Sequence, residues 1–195
     1  MTTPKKIIVI AGPTGSGEST LTRMLLTRYP RMRRLVTATT RPPRAKEQSG
    51  HDYYFFSKSQ FQNELELGNI LEHTYVQNRD TYYGTYKIDL DAKLNAGYIV
   101  IVNPDLVGAQ YYKKNYGATT IFVIPSSLEE LQHRLENRDG SLSAEELAKR
   151  LANAQHEIEQ EGPLYDYRVL NKDGKMDQAL EEIIEILKQA GYELD

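Results

Sequence analysis

The run Gly12-Pro13-Thr14-Gly15-Ser16-Gly17-Glu18-Ser19-Thr20 holds residue types that can cradle an anion. Glycines at 12, 15 and 17 let successive backbone N–H groups converge on one phosphate, and a helix opening at Ser19 adds the partial positive charge of its N-terminus. From Gly12 to Ser19 the spacing matches the phosphate-loop pattern G-x-x-x-x-G-K-[ST], except that glutamate stands at position 18 where the pattern has lysine. In that pattern the lysine reaches the β- and γ-phosphates of a nucleoside triphosphate, and the hydroxyl at the position of Ser19 takes Mg2+. Reversing a charge about 4 Å from a phosphate changes the interaction by several kcal/mol, even at an effective dielectric of about 20. Glu18 is therefore expected to lower both triphosphate affinity and rate.

A second group of candidates is basic. Residues 21–50 hold eight Lys or Arg and one acid, and include Arg41-Pro42-Pro43-Arg44. The two prolines fix an extended backbone, so the arginines sit on a stiff loop rather than on a helix. Such a pair suits a bidentate grip on phosphate, and it equally suits a solvated basic loop. Residues 127–162 reverse the balance with nine acids and four bases. There, Arg134, Arg138 and Arg150 fall on the polar faces of two helices, an arrangement open to a lid over phosphates or to ordinary surface charge. The histidines at 51, 73, 133 and 156 lack metal-ligand spacing.

The elements that must position these residues follow from pattern. Ile7 to Ala11 reads as a buried parallel strand feeding the loop, with a helix from Ser19 to Tyr29 stopped by Pro30. A short strand is expected at Leu35–Thr39, and an aromatic one at Gly50–Phe56. Ser57 and Gln60 form a capping box for a helix running to about Leu67. Strand Ile70–Val76 and a return ending in Tyr82-Tyr83-Gly84-Thr85 complete a small mixed sheet over residues 38–86, since the spacing leaves no room for parallel crossovers. A helix over Ile88–Ala96, strand Tyr98–Val102, a helix over 105–115 and strand Thr119–Ile124 return to the main sheet. Two capping boxes, Ser127 with Glu130 and Ser143 with Glu146, open the helices of the hairpin. Strand Tyr167–Asn171 and helix Met176–Ala190 close the chain, with Gly191 as the stop.

With 195 residues, 39% hydrophobic and 26% charged, the chain suits one α/β domain with an insert and a lid: core 1–37, 87–125 and 163–195, insert 38–86, lid 126–162. A net charge of -3 argues against nucleic acid or a membrane surface as the main partner. Without cysteine there is neither a disulfide nor a thiolate metal site. The N-terminal apolar run is too short for a signal peptide or a membrane span, so a cytoplasmic protein, monomer or homodimer, is expected.

The succession of phosphate loop, TTRPPR, GHDYYFF, ILEHTYV, YYGT, a strand leading to Asp105, the arginine-bearing hairpin and RVLN resembles the guanylate kinase family, in order and close to its spacings. The resemblance implies a P-loop three-layer fold with a central parallel sheet, a GMP-binding insert and a helical lid. It further implies the reaction ATP + GMP to ADP + GDP with Mg2+, dGMP being a second possible acceptor. Arg41, Arg44, Tyr53 and Tyr83 would hold the GMP phosphate, Glu72 and Thr85 would read the guanine edge, and Asp105 would order the base. Gly12, Thr14, Gly15, Ser16, Gly17, Glu18, Ser19 and Thr20 would line the ATP phosphates, Ser19 would take the metal, and Asn171 would lie near adenine. Arg41, Arg134, Arg138 and Arg150 would neutralise the transferred group. Two positions depart from the family: Glu18, and Asn103, where an aspartate is usual. The competing reading is a non-catalytic nucleotide-binding or protein-interaction module of the same fold.

Overall fold

The computed structural model describes residues 5–139 and 142–194, without the side chains of Asn78, Arg138 and Asp139. In chain order the elements are β1 (Ile7–Ala11), α1 (Glu18–Arg28), β2 (Met32–Arg34), β3 (Ala38–Thr39), β4 (Tyr54–Phe55), α2 (Lys58–Glu66), β5 (Ile70–Val76), β6 (Thr81–Tyr86), α3 (Lys87–Asn95) and β7 (Ile99–Val102). They continue with α4 (Leu106–Tyr116), β8 (Thr119–Pro125), α5 (Leu128–Asp139), α6 (Ala144–His156), β9 (Tyr167–Asn171) and α7 (Met176–Gln189). A 3-10 turn at Gln77–Arg79 joins β5 to β6, and a π-turn at Glu157–Glu161 followed by a 3-10 turn at Gly162–Leu164 joins α6 to β9.

The chain divides into two compact units, one of Met1–Met32 with Ile101–Asp195, the other Arg33–Val100. A five-stranded sheet runs in the order β2-β7-β1-β8-β9, with β8 parallel to both of its neighbours. The β-branched residues of β1 are buried on both faces, as a central parallel strand requires. Helix α7 places Leu180, Ile183, Ile184 and Leu187 on one buried stripe and packs on α1 and β9.

The second unit carries its own four-stranded sheet, β4-β3-β6-β5, in which β3 is parallel to β4 while β3–β6 and β5–β6 are antiparallel. Its core is Ala38, Phe61 and Ile70, surrounded by Tyr54, Phe56, Leu65, Tyr82 and Tyr86. The central parallel sheet and the separate mixed sheet are the α/β architecture the sequence led us to expect.

Several local expectations change. Of the strand expected at Leu35–Thr39 only Ala38–Thr39 forms, in the second sheet, and an unexpected strand, Met32–Arg34, joins the first. Between them the Val36 N–H donates at 3.0 Å to Asp89 Oδ2 instead of to a strand. Of Gly50–Phe56 only Tyr54–Phe55 forms a strand, because the preceding residues close a turn in which Gly50 N–H donates to the Tyr53 carbonyl and Gln48 N–H to Asp52 Oδ2. The Ser57–Gln60 capping box is complete. At the other two caps the serine accepts from the glutamate N–H, but the carboxylates turn elsewhere: Glu130 to Ser126, Arg134 and Asp173, Glu146 to Arg150.

Candidate functional site

The first unit builds a cluster around the glycine loop. Strand β1 ends at Ala11, and Gly17, with φ of +97°, is the N-cap of α1. A side chain at Gly17 would bring Cβ to 2.3 Å from Asn171 Nδ2, so this turn requires glycine sterically as well as conformationally. Asn171, fully buried at the end of β9, donates from Nδ2 to the Ser16 carbonyl at 2.7 Å. Arg134 holds the same segment from α5: Nη1 donates to the Gly15 and Ser16 carbonyls at 3.3 and 3.1 Å, Nη2 to the Asn171 carbonyl at 2.7 Å, and Nε to Asp173 Oδ1 at 2.7 Å. It also pairs with Glu130. Among the described residues, the buried side-chain atoms left without a partner are Ser16 Oγ and Asn171 Oδ1, both in this cluster.

Where the pattern has lysine, the Glu18 carboxylate accepts from Ser19 Oγ at 2.6 Å. This places a carboxylate beside the hydroxyl expected to take the metal. The adjoining cavity, about 500 Å³, is lined by Thr14, Gly17, Glu18, Ser19, Lys172 and Met176 among others. Lys172 is a cation the sequence patterns did not single out. Asn103, at the end of β7, donates from Nδ2 to the Ile10 carbonyl at 2.9 Å and to Thr22 Oγ1 at 3.0 Å, pinning the strand that enters the loop. Asp105 is the N-cap of α4 and accepts from Gly108 N–H at 3.0 Å. Burial pushes the Tyr165 hydroxyl pKa well above its usual value, and the negative charges of Glu161, Asp105, Glu157 and Glu18 add to the rise. Arg150 pairs with Glu146. The side chain of Arg138 lies outside the described residues.

The second unit builds a cluster of its own on β3, β4, β5 and β6. Thr40 exchanges hydrogen bonds with Tyr82, its N–H donating to the Tyr82 carbonyl and its Oγ1 accepting from the Tyr82 N–H, and Thr39 Oγ1 accepts from Arg41 N–H at 3.2 Å. These ties anchor the start of the proline loop. The Arg41 guanidinium lies over the Tyr53 and Phe55 rings, 5.2 and 5.6 Å from their centroids. Tyr53 meets Tyr83 edge-on at 6.0 Å. Arg41, Tyr53 and Tyr83, distant in sequence, are thus brought together, while Arg44 is exposed on the loop.

The partner of Arg41 that sequence reasoning passed over is Glu47. Its two carboxylate oxygens take Arg41 Nη1 and Nη2 at 2.7 and 2.8 Å, and one also accepts from Arg44 N–H at 2.7 Å. The hydrogen bond from Arg41, then that from Arg44, hold the Glu47 carboxyl at a pKa of about 2, and the same pairing raises that of Arg41. The signal was present in the sequence, since Glu47 is the single acid among the eight bases of 21–50. Deeper along β5 and β6, Thr85 Oγ1 donates to Glu72 Oε1 at 2.5 Å. Their strands lie close enough there that a Cβ at Gly84 would fall 2.8 Å from the Glu72 carbonyl. A carboxylate backed by a buried hydroxyl can accept from adjacent N–H donors of a ligand.

Among the described residues no group of three or more His, Asp or Glu is arranged to hold a metal ion. No helix among them is long and apolar enough to cross a membrane.

A family model described as guanylate kinase matches residues 4–190. The chain is 38% identical over 183 residues to a guanylate kinase of Synechocystis, covering 93% of each chain. To a guanylate kinase of Thermosynechococcus vestitus it is 42% identical over 171 residues, covering 87% of each. Among solved structures, a guanylate kinase from Anaplasma phagocytophilum superposes with a TM-score of 0.72 at 26% identity, over 98% of this chain and 88% of that one.

Proposed function

This chain belongs to the guanylate kinase family, and from that premise we propose that it is a phosphotransferase converting ATP and GMP to ADP and GDP. The observation that carries this reading is the preassembled acceptor half-site: Arg41 over Tyr53, which meets Tyr83, with Thr85 on the same strand as Tyr83 and its partner Glu72 on the adjacent one. The arginine and the two phenol hydroxyls would hold the GMP phosphate, joined by Arg44. Glu72 would accept from guanine N1–H and the 2-amino group, donors that adenine does not present in that arrangement, with Thr85 fixing the carboxylate. Asp105 would order the base. dGMP lacks only a hydroxyl that none of these groups is assigned to read, so it would also be accepted.

The loop amides of 12–20 would bind the ATP phosphates, and Asn171 would lie on the adenine side. Transfer proceeds by attack of a GMP phosphate oxygen on the γ-phosphorus, and the protein's task is positioning and neutralising charge. Arg41, Arg138 and Arg150 would neutralise it directly, while Arg134, with its donors on Gly15, Ser16, Asn171 and Asp173, would act through the loop it holds. Oxygen donors suit Mg2+, so Ser19 and the adjacent Glu18 carboxylate would hold the ion, which draws electron density from the phosphate oxygens when bound. With lysine absent from the loop, Lys172 and Arg134 are the cations lining the cavity beside Glu18.

Glu18 favours a second reading, a GMP-binding module without efficient turnover, because it sets a negative charge where the pattern's lysine would meet the triphosphate. Steady-state assays with ATP, Mg2+ and either GMP or AMP separate the two. GDP formation with GMP and no turnover of AMP is expected. A GMP-dependent rise in Tm without GDP formation would favour the binding module.

A further inference from the structure

Arg41 is oriented by a contact that the acceptor reading does not use. Its guanidinium has five N–H donors. Nη1 spends its two on the Pro42 carbonyl at 2.9 Å and Glu47 Oε2 at 2.7 Å, and Nη2 spends one on Glu47 Oε1 at 2.8 Å. The edge facing Glu47 is therefore filled, and the adjacent fork, Nε with the second N–H of Nη2, faces away from Glu47. Glu47 also closes the loop on itself: its N–H donates to the Arg44 carbonyl at 2.9 Å and its carboxylate accepts from Arg44 N–H at 2.7 Å. The Arg41 and Glu47 side chains are only 16% and 18% exposed, so water competes weakly for the pair.

We infer that Glu47 is the positioning residue of the acceptor phosphate site, holding Arg41 and the 41–47 loop so that the second guanidinium fork is presented to the monophosphate. The inference rests on the acceptor reading given above. A carboxylate that only occupied Arg41 until phosphate displaced it would have the opposite effect, since removing it would tighten binding. Because Glu47 acts through Arg41, its effect is confined to ligands that carry the phosphate.

The test uses the full chain and calorimetric titration with GMP and with guanosine. For Glu47→Gln, GMP affinity is expected to fall about tenfold, the size of one charge-assisted hydrogen bond. Guanosine affinity and KM for ATP are expected to stay within about twofold. In an Arg41→Met background, adding Glu47→Gln should cost GMP affinity less than it does in the unaltered chain, because only the contact with Arg44 is then left to lose. Unchanged or tighter GMP binding by Glu47→Gln overturns the inference, as does an equal loss for guanosine, which would mark a general loosening of the unit. If the unaltered chain binds GMP no better than guanosine, the acceptor phosphate site itself is wrong and the inference falls with it.

Discussion

At the scale of single residues, the two departures from the family pattern differ in kind. Asn103 has a structural task that aspartate cannot perform, since its amide donates to the Ile10 carbonyl, where a carboxylate would set oxygen against oxygen. Asn103→Asp is expected to cost about 1–3 kcal/mol, the usual penalty for a lost hydrogen bond with a buried polar group left unpaired. Urea denaturation measures it, and an unchanged midpoint would show that the bond to Ile10 contributes nothing. At Glu18 the change is one of charge, a carboxylate standing where the pattern has lysine and accepting from Ser19 Oγ. Glu47 carries a pH signature. Its carboxyl is held near a pKa of about 2 against 4.5 for the unperturbed group, so the native state binds fewer protons than the unfolded chain between those values. The stability it contributes is complete above about pH 4.5 and is lost as pH falls through about 2. Acid titrations of the unaltered chain and Glu47→Gln should therefore differ at neutral pH and converge through that window; curves that stay parallel would contradict the pairing.

At the scale of elements, periodicity and capping residues were legible where local chemistry decides the structure. Ser57 and Gln60 announce the start of α2, and both arms of that box are made. Ser57→Ala is expected to lower stability by about 1 kcal/mol, read as a shift in the denaturation midpoint, and no shift would mean that packing of Phe61 alone fixes the helix start. The same signature at Ser127 and Ser143 predicted the helices but not the fate of the glutamates, because Arg134, Asp173 and Arg150 compete for them and their proximity is a tertiary fact. The break at Leu35–Val36 was hidden for a similar reason: an apolar pair reads as strand, yet the Val36 N–H is satisfied by an aspartate 53 residues away. The glycine loop could be read from spacing, whereas the role of Arg134 behind it could not, since its acceptors, the Gly15, Ser16 and Asn171 carbonyls and the Asp173 carboxylate, lie on two segments far apart in sequence.

At the scale of the whole molecule, the chain is made of two units, each with its own sheet and core, and on the proposed function each would carry one half of the chemistry. The acceptor half is assembled from charged and aromatic partners already in contact. The donor half keeps its glycine turn and its α1 N-terminus but has a negative charge where the pattern places a positive one. The account therefore holds that GMP recognition is intact and that Glu18 limits the use of ATP. The most direct measurement is GDP formation from ATP, Mg2+ and GMP by the unaltered chain and by Glu18→Lys, side by side. The account predicts GDP from both, with kcat/KM for ATP raised about a thousandfold by the lysine, equivalent to about 4 kcal/mol of barrier, and KM for GMP within about twofold. Equal rates in the two proteins, or no GDP from either, would contradict it.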